Sequence, residues 1–334
     1  MDAVAYYSNL AMVTSAVLYL LALVFHALEW ASARQVDGAA APAGAATQET
    51  AWPTMAYGGS GTSGSAGGVA TLTRTGPSAA DAGGSVREDR FGRIGVAVTV
   101  VAALVHIVAV VLRGIAAQRA PWGNMYEFIT SSMAMAAVIY LVGVFAFRLR
   151  GFGLPFTLLA SIGQGLAVTV FYVNVSPLMP ALHSVWFVIH IVAAALAGAA
   201  FNVGAIASLL YLLKVRAQEK GRTRGYLARL PEPAVLDRIS YRLHAFAFPL
   251  WTFAIAAGAI WAQYAWGRFW GWDPKETWSL VTWIVYAAYL HARATAGWKG
   301  KRAAVLALIG IIAFWWNFVG VNLVLNGLHS YAGI

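Results

Sequence analysis

The chain contains no cysteine among its 334 residues, and only 11% of its residues are charged. The absence of cysteine excludes a disulfide framework, thiolate metal sites and any thiol chemistry supplied by the chain itself. A soluble domain carries about a quarter charged residues, so the low charge content excludes an ordinary soluble protein. The composition is 60% hydrophobic with a positive mean hydropathy, which is typical of an integral membrane protein.

The charge that is present is mostly basic, with 23 Lys and Arg against 13 Asp and Glu. A pI near 9.9 makes nucleic-acid binding one interpretation. The basic residues, however, fall in short clusters between apolar runs, which is typical of the cytoplasmic loops of a membrane protein. We therefore expect membrane lipid around the chain and no nucleic-acid partner.

Apolar runs of helical length predict an all-α, polytopic membrane protein with about eight transmembrane helices. A span needs about 20 apolar residues, and only helices or closed barrels satisfy the backbone in lipid. The first run lacks a preceding basic segment and is long enough to stay in the membrane, so we expect no cleavable signal. The candidate spans are residues 4–28, 94–112, 127–147, 154–173, 184–213, 244–263, 278–292 and 303–325, of which the seventh is short.

The distribution of Lys and Arg predicts the orientation. With the N-terminus outside, 19 of these residues fall in inner segments and 4 in outer segments. Such an excess marks the cytoplasmic side. We therefore expect both termini, and the stretch 266–280, on the outer face of a bacterial inner membrane.

The chain divides into three parts by composition. Residues 1–30 form the first transmembrane helix, and residues 94–334 form the main membrane domain. Between them, residues 31–93 are rich in Ala, Gly, Ser and Thr, which cannot bury enough apolar area to fold. We predict a flexible cytoplasmic linker there.

Residues 266–280, WGRFWGWDPKETWSL, concentrate tryptophan as no other stretch of the chain does. A belt of Trp and Tyr at the membrane interface is common, and that is the simplest interpretation. Asp273, Lys275 and Glu276, however, interrupt the apolar pattern, which a passive anchor does not require. We favour a binding surface.

The turn chemistry of this stretch predicts a rigid shelf. Asp273 before Pro274 stops a helix, and Asp273 or Thr277 is the candidate cap of the next one. Indole rings with a few polar groups suit a large planar ligand with charged edges. Haem fits that description, because its ring can lie on aromatic side chains while its propionates meet Arg268 or Lys275.

Two of the seven histidines lie near the same outer surface. His190 is six residues into the fifth span, about 9 Å below its outer end at about 1.5 Å per residue. His329 lies just beyond the last span. Two neutral imidazoles at one level can hold an iron from both sides. The alternative is that each is bonded to a neighbouring helix.

The remaining histidines differ in depth. His291 is about 20 Å deeper than the shelf, in the inner half of the membrane. His183 is best interpreted as a surface loop residue. Glu127, at the membrane edge, either helps the site or only anchors its loop. The other histidines are more typical of helix packing or of the interface: His26, His106 and His244.

Four separated motifs in order resemble a known family. They are AWGRFWGWDPKETWSLVTWIVYAAYLHAR, GVNLVLNGLHSYA, PWGNMYEF (121–128) and PALHSVWFVIH (180–190). The first is similar to the tryptophan-rich WWD signature, here at 264–278, of the CcsA/ResC-type subunit of cytochrome c synthase. The resemblance covers roughly residues 94–334. The chain departs from it at His183 and His244, where Gln and an apolar residue are expected.

The resemblance implies haem b as the cofactor and an activity that attaches haem to apocytochrome c. His190 and His329 correspond to the two external axial ligands, and we add Asp273 to them as the catalytic set. His291 corresponds to a transmembrane ligand paired with a histidine of a ResB-type partner subunit. A thioredoxin-like thiol reductase is a further candidate partner. The residues expected to hold haem are His190, His329, His291, Trp266, Trp270, Trp272, Trp278, Arg268 and Lys275.

Three other functions stay open on the sequence. A haem exporter or chaperone would present haem without attaching it. A di-haem b quinone oxidoreductase subunit would need histidine pairs facing each other inside the bilayer, whereas the best pair here is at the outer surface. A transporter of another planar substrate would carry the same aromatic shelf.

Overall fold

The computed structural model describes residues 2–39 and 79–329, with side chains described for 2–32 and 90–329. The described residues contain helices and no β-strand, which confirms the predicted all-α class. A π-helical turn, Trp316–Gly320, joins the last two helices. The helices are α1 (Asp2–Ala39), α2 (Ala79–Ala117), α3 (Met125–Phe147), α4 (Gly153–Thr169), α5 (Val185–Glu219), α6 (Tyr226–Arg229), α7 (Pro233–Trp266), α8 (Pro274–Ala294), α9 (Lys301–Trp315) and α10 (Val321–Val324).

Seven segments of the described chain are long and apolar enough to cross a membrane. They confirm a polytopic membrane protein and correspond to every predicted span except 278–292. That span is α8, whose first and last turns carry ionisable side chains. Its 21 residues nonetheless measure about 31 Å at 1.5 Å per residue, enough to cross a bilayer.

The contacts at its two ends show that α8 runs the full depth of the bundle. At one end, Lys275 Nζ donates to Asn322 Oδ1 at 2.8 Å. At the other end, Arg293 donates to both carboxylate oxygens of Asp237, at 2.7 and 2.9 Å. Asn322 and Asp237 lie at opposite ends of the bundle, so α8 extends from one end of the bundle to the other; its crossing of the membrane stays a prediction.

The helices α1 and α2 extend into the segment predicted as a linker. The first continues to Ala39 and the second begins at Ala79. The two helices pack closely against each other. Residues 40–78, which make up most of the predicted linker, lie outside the described residues.

A buried carboxylate fixes the loop between α2 and α3. Glu127 is fully buried and accepts from Arg113 Nε at 2.9 Å and from Arg119 Nη1 at 2.7 Å. It also accepts from the backbone of Gly123 at 2.8 Å, while Asn124 caps α3. Of the two roles considered for Glu127, the structure supports the anchor.

The helix pair α5–α7 forms the centre of the bundle and carries the site at one end. Small residues let the two backbones approach closely, as is typical of membrane helix packing. Below the site, Phe201 of α5 stacks on Tyr286 of α8 at 3.9 Å between centroids. Trp251 of α7 meets Phe314 of α9 at 5.6 Å. These rings fill the core and leave the space above them to the site.

Candidate haem-binding site

The loop between α7 and α8 is held by its own polar groups. Helix α7 ends at Gly267, which has a left-handed conformation (φ 74°). Asp273 then caps α8 in a capping box with Glu276, whose carboxylate accepts from Asp273 N at 3.1 Å. The same carboxylate accepts from Gly271 N at 2.8 Å and from Arg268 at 3.0 Å. The predicted cap at Asp273 is confirmed, and Glu276 makes the loop rigid.

His190 is held in one orientation on the inner wall of this region. Its Nδ1–H donates to the carbonyl of Ala254 at 2.7 Å. Gly258 makes room for the ring, since a Cβ there would lie 2.7 Å from Nδ1. The imidazole stacks on Trp261, with 5.9 Å between centroids and 17° between planes. The hydrogen bond fixes the tautomer that places the lone pair on Nε2.

His329 is held in the same way by a different acceptor. Its Nδ1 is 2.8 Å from Asp273 Oδ2, and Asp273 Oδ1 accepts from the backbone of Leu328 at 2.6 Å. Gly327 allows this close approach, since a Cβ there would lie 2.6 Å from Asp273 Oδ1. A histidine whose Nδ1 is bonded to a carboxylate is the usual arrangement of a metal ligand and its second shell.

The charges of this pair follow from burial and hydrogen bonding. Burial opposes ionisation of Asp273, but the hydrogen bonds from His329 and Leu328 outweigh it and lower the pKa to about 2. Burial also lowers the pKa of His329, although the carboxylate of Asp273 acts in the opposite direction. At pH 7 the pair is therefore an ionised carboxylate and a neutral imidazole, which is the form that binds iron.

The two histidines meet at one indole. The ring centroid of Trp261 lies 5.9 Å from that of His190 and 5.8 Å from that of His329. Trp266 lies 4.9 Å from His329. Trp261 is fixed by a hydrogen bond from Nε1 to the carbonyl of Ala181 at 2.8 Å. The structure thus brings together residues that are far apart in the chain.

Both histidines line one cavity, with about 1120 Å³ of empty space including its open mouth. We call it the indole cavity. Most of its wall is apolar, and a few polar groups converge on it, as in other small-molecule sites. The tryptophans that line it are Trp122, Trp251, Trp261, Trp266 and Trp270.

Some of the residues predicted to hold haem line the cavity, and others do not. Trp266, Trp270 and Lys275 line it. Arg268 does not; it pairs with Glu276 beside the cavity. Trp272 and Trp278 also lie outside its wall, and all of the predicted haem contacts stay predictions. Trp278 packs against Trp316 at 5.7 Å. Trp272 is 67% exposed, meets Trp270 edge-on at 5.8 Å, and has a left-handed backbone (φ 59°).

His291 lies apart from the cavity. It is exposed in the last turn of α8, at the opposite end of that helix from Asp273. Its pairing with a partner subunit stays a prediction. His183 lies in an exposed loop, as predicted. The remaining three are buried in helix packing: His26 beside Glu29, His106 at 2.6 Å from Gln164, and His244 bonded to the Ser240 carbonyl.

Several cavity residues were not singled out from the sequence. Trp122 falls within the motif PWGNMYEF, and Trp261 precedes the stretch 266–280. The sequence gives their residue types, but it does not show that both line the cavity. Asn317 carried no signal. It is 4% exposed, lies in the π-helical turn and lines the cavity. Such turns are frequent at functional sites. Its Oδ1 has no hydrogen-bond partner among the described residues.

The chain is similar to known proteins over most of its length. The family model described as "Cytochrome C assembly protein" matches residues 96–329. The cytochrome c biogenesis protein CcsA of Guillardia theta is 36% identical over 263 residues, covering 71% of this chain and 85% of that protein. The protein of the same description from a Synechococcus strain is 35% identical over 294 residues, covering 72% and 84%.

A solved structure shares the fold. The cytochrome c haem lyase CcmF superposes with a TM-score of 0.58 at 16% identity; the match covers 95% of this chain and 47% of that one. The likeness at that identity concerns the fold alone. The match over residues 96–329 includes the aromatic loop and both cavity histidines. This chain therefore belongs to the cytochrome c assembly protein family.

Proposed function

We propose that this chain is the membrane subunit of a cytochrome c synthase, which brings haem b to the outer face of the membrane and attaches it to apocytochrome c. Membership of the family gives the chain a role in cytochrome c maturation. The observation that carries the finer proposal is the pair His190 and His329, both anchored through Nδ1 and both on the indole cavity.

The lining and the donor chemistry of the cavity suit haem. Its apolar rings suit a porphyrin face, and two Nε2 lone pairs suit the two axial positions of the iron. The Lys275 amine lines the wall and can donate a hydrogen bond to a propionate. No group of three or more His, Cys, Asp or Glu side chains with metal-site geometry occurs among the described residues. Two imidazoles are the axial ligand set that suits an iron held within its own macrocycle.

In this proposal haem is the cargo, and the chain positions it. His190 and His329 hold the iron, and Asp273 keeps the His329 imidazole in the tautomer that binds. Glu276 keeps the loop closed through Gly271 N and Arg268. Trp261 and Trp266 exclude water from the face of the ring. A fixed orientation makes a bimolecular addition effectively unimolecular, which is the main catalytic contribution.

The attachment step requires no group transfer by the chain. The substrate contributes a Cys-x-x-Cys-His segment, whose histidine replaces one of the two axial ligands. Each cysteine adds across one vinyl group: a C–S bond forms, and the thiol proton goes to the other vinyl carbon. The atoms balance with no leaving group and no net oxidation. The lack of cysteine in this chain leaves no competing thiol beside the vinyl groups.

The proposed orientation places the indole cavity outside the bacterial inner membrane. The support is the excess of Lys and Arg in the opposite segments. His291 then lies toward the cytoplasmic side, exposed on α8. We propose that it meets haem there together with a histidine of a ResB-type partner subunit. A thioredoxin-like reductase would keep the substrate cysteines as thiols.

One observation favours a second function, presentation of haem without attachment. The charged groups of the cavity already have partners, Glu276 with Arg268 and Lys275 with Asn322. The cavity therefore provides histidine ligands and apolar walls more clearly than it provides a general acid or a general base for catalysis. A haem exporter or chaperone needs no more than that.

The experiment that separates the two is co-expression of the full chain and its ResB-type partner with a Cys-x-x-Cys-His substrate in a host that cannot mature cytochromes c. We expect covalent haem staining of the denatured substrate, lost in His190→Ala and kept in His183→Ala, which changes an exposed loop histidine. Unstained substrate with both subunits inserted and haem bound would favour the chaperone.

A further inference from the structure

A second cavity opens on the lipid-facing side of the bundle. It is a groove between α2 and α3 with about 1210 Å³ of empty space including its open side. Its rim is exposed, with Val111 at 53% and Val138 at 47%. We call it the α2–α3 groove. Because it faces the bilayer and is almost wholly apolar, it is open to molecules dissolved in the membrane.

The groove and the indole cavity share one wall. Trp122 is the one residue that lines both. Its backbone is held in the loop, because Trp122 N donates to the Ala120 carbonyl at 2.9 Å and the next residue, Gly123, donates from N to Glu127 at 2.8 Å. A change at this wall would therefore come from the indole side chain and not from the loop.

The indole of Trp122 lacks the anchor that other indoles of the cavity have. Trp261 Nε1 donates to the Ala181 carbonyl at 2.8 Å, and Trp251 Nε1 donates to the Ser279 carbonyl at 3.2 Å. Trp122 Nε1 is buried and has no hydrogen-bond partner among the described residues. Burying a donor without a hydrogen-bond partner costs free energy, so this orientation of the indole is less stable than one with a partner. Rotation of Trp122 would break no hydrogen bond.

The outer end of the groove attracts negative charge. Arg119 lies there, and it shares the single carboxylate of Glu127 with Arg113. Two guanidinium groups against one carboxylate leave a net positive charge. An amphiphile with a flat apolar body and carboxylates at one edge matches this groove, with its body along the apolar walls and its carboxylates near Arg119.

We propose that the α2–α3 groove is a lateral route by which haem passes from the bilayer into the indole cavity, separate from the contact with His291 proposed above, and that Trp122 is the movable partition. This proposal rests on the function proposed above, in which the indole cavity holds haem. It adds a specific path and one residue, Trp122, that controls the rate at which haem loads. The axial ligands control the amount of haem bound.

The test is the rate of haem loading. The full chain is reconstituted in phosphatidylcholine vesicles preloaded with ferric haem b, and bis-histidine ligation is followed by Soret absorbance. Val138→Trp fills the groove from its exposed rim. The matched control is Val142→Trp, a 52% exposed position one turn further along α3 that does not line the groove.

We expect Val138→Trp to slow loading by about tenfold, a barrier increase of about 1.4 kcal/mol, with the same final haem content as wild type. Val142→Trp should load at the wild-type rate, and Trp122→Ala faster than wild type. If Val138→Trp does not fold, Val111→Trp fills the groove from α2. Loading of the filled variant at the wild-type rate would overturn the route and leave the proposed function intact. A wild-type chain that binds no haem would instead overturn both.

Discussion

The two ends of the α5–α7 helix pair hold histidines that make the same hydrogen bond in different surroundings. Toward the loop end, His190 Nδ1 donates to the Ala254 carbonyl at 2.7 Å. Toward the other end, His244 Nδ1 donates to the Ser240 carbonyl at 2.6 Å. The anchored nitrogen and the tautomer are equivalent, so hydrogen bonding does not distinguish a ligand from a packing residue.

The space around Nε2 does distinguish them. His190 borders the indole cavity. His244 is fully buried, and its Nε2 has no partner among the side chains that the structure describes. Its ring instead lies 5.2 Å from Tyr286 and 5.1 Å from Tyr289. A ligand histidine needs both a fixed Nδ1 and open volume at Nε2, and only the loop end of the helix pair supplies both.

The largest expected effect contrasts these two histidines directly. His190→Ala should lower haem affinity by more than about a hundredfold, since loss of only a second-shell partner costs about 10–100-fold. His244→Ala should leave the haem content unchanged. The measurement is haem content and the Soret spectrum of the purified full-length protein.

Added imidazole sharpens this test. It can enter the space left by His190→Ala and supply the missing nitrogen, so the bis-histidine spectrum should return. A structural collapse would not be rescued in that way. Equal haem loss in both variants would remove the distinction between the two ends.

The next effect compares two carboxylates at opposite ends of the bundle. Asp273 holds His329, and Asp237 pairs with Arg293 at 2.7 Å. Asp273→Asn keeps an acceptor oxygen but removes the charge that raises the basicity of His329. We expect about a 10–100-fold loss of haem affinity and a higher reduction potential, because a less basic ligand stabilises ferric iron less.

Redox titration of the haem-loaded protein measures that shift. Asp237→Asn, the control, should lower stability through its unpaired arginine and leave the potential as it was. Equal changes of the reduction potential in Asp273→Asn and Asp237→Asn would indicate a general effect of charge, and not an effect of Asp273 on the His329 ligand.

A smaller effect is expected at two glycines that contact these histidines. A Cβ at Gly258 would lie 2.7 Å from His190 Nδ1, and a Cβ at Gly204 would lie 2.7 Å from His244 Cε1. Overpacking costs about 1–3 kcal/mol at such sites. Gly204→Ala should lower only the free energy of unfolding, whereas Gly258→Ala should also shift the Soret band by turning a ligand. An unshifted band in Gly258→Ala would mean that His190 does not bind iron in this orientation.

The sequence predicted the membrane architecture well because each helix needs a long apolar run, and such runs are read locally. Helix α8 is the exception, because it lacks an apolar run of that length. The extent of α8 through the bundle is shown by the contacts of Lys275 and Arg293 at its two ends, and not by its apolar content. The extents of α1 and α2 were harder to predict, since an Ala- and Gly-rich segment gives no apolar signal at a helix end.

The site was predictable only where residue type alone carries chemistry. His190, His329 and Asp273 could be predicted to lie in one site because imidazoles and a carboxylate beside proline are distinctive in a membrane protein; the structure brings them together, and their roles stay predictions. Trp122 and Asn317 were not, since their positions on the cavity depend on how distant helices pack. Trp278 shows the opposite case. It belongs to the aromatic stretch, but helix packing places it on Trp316 and outside the cavity wall.

The smallest expected effect is the pH dependence of haem binding at the loop end. Protons compete with iron for His329 only where they bind its imidazole. Burial lowers the pKa of His329 below the ordinary value of 6.5, while Asp273 and Glu276 act to raise it and Lys275 acts to lower it. The contribution of His329 to haem affinity should therefore be flat from pH 8 to about 6.5 and should fall only at lower pH, by at most about tenfold per pH unit.

Asp273→Asn should move this fall in affinity to still lower pH, although it weakens binding at every pH. In the wild type the Asp273 carboxylate is charged over this whole pH range, because its pKa is about 2. Removing that charge lowers the pKa of His329 further. Titration of the Soret band from pH 8 to 5 gives both profiles, with His244→Ala as the control expected to match wild type. A shift toward higher pH in Asp273→Asn would mean that the carboxylate does not stabilise the protonated imidazole, and the pairing of Asp273 with His329 would then not be electrostatic in origin.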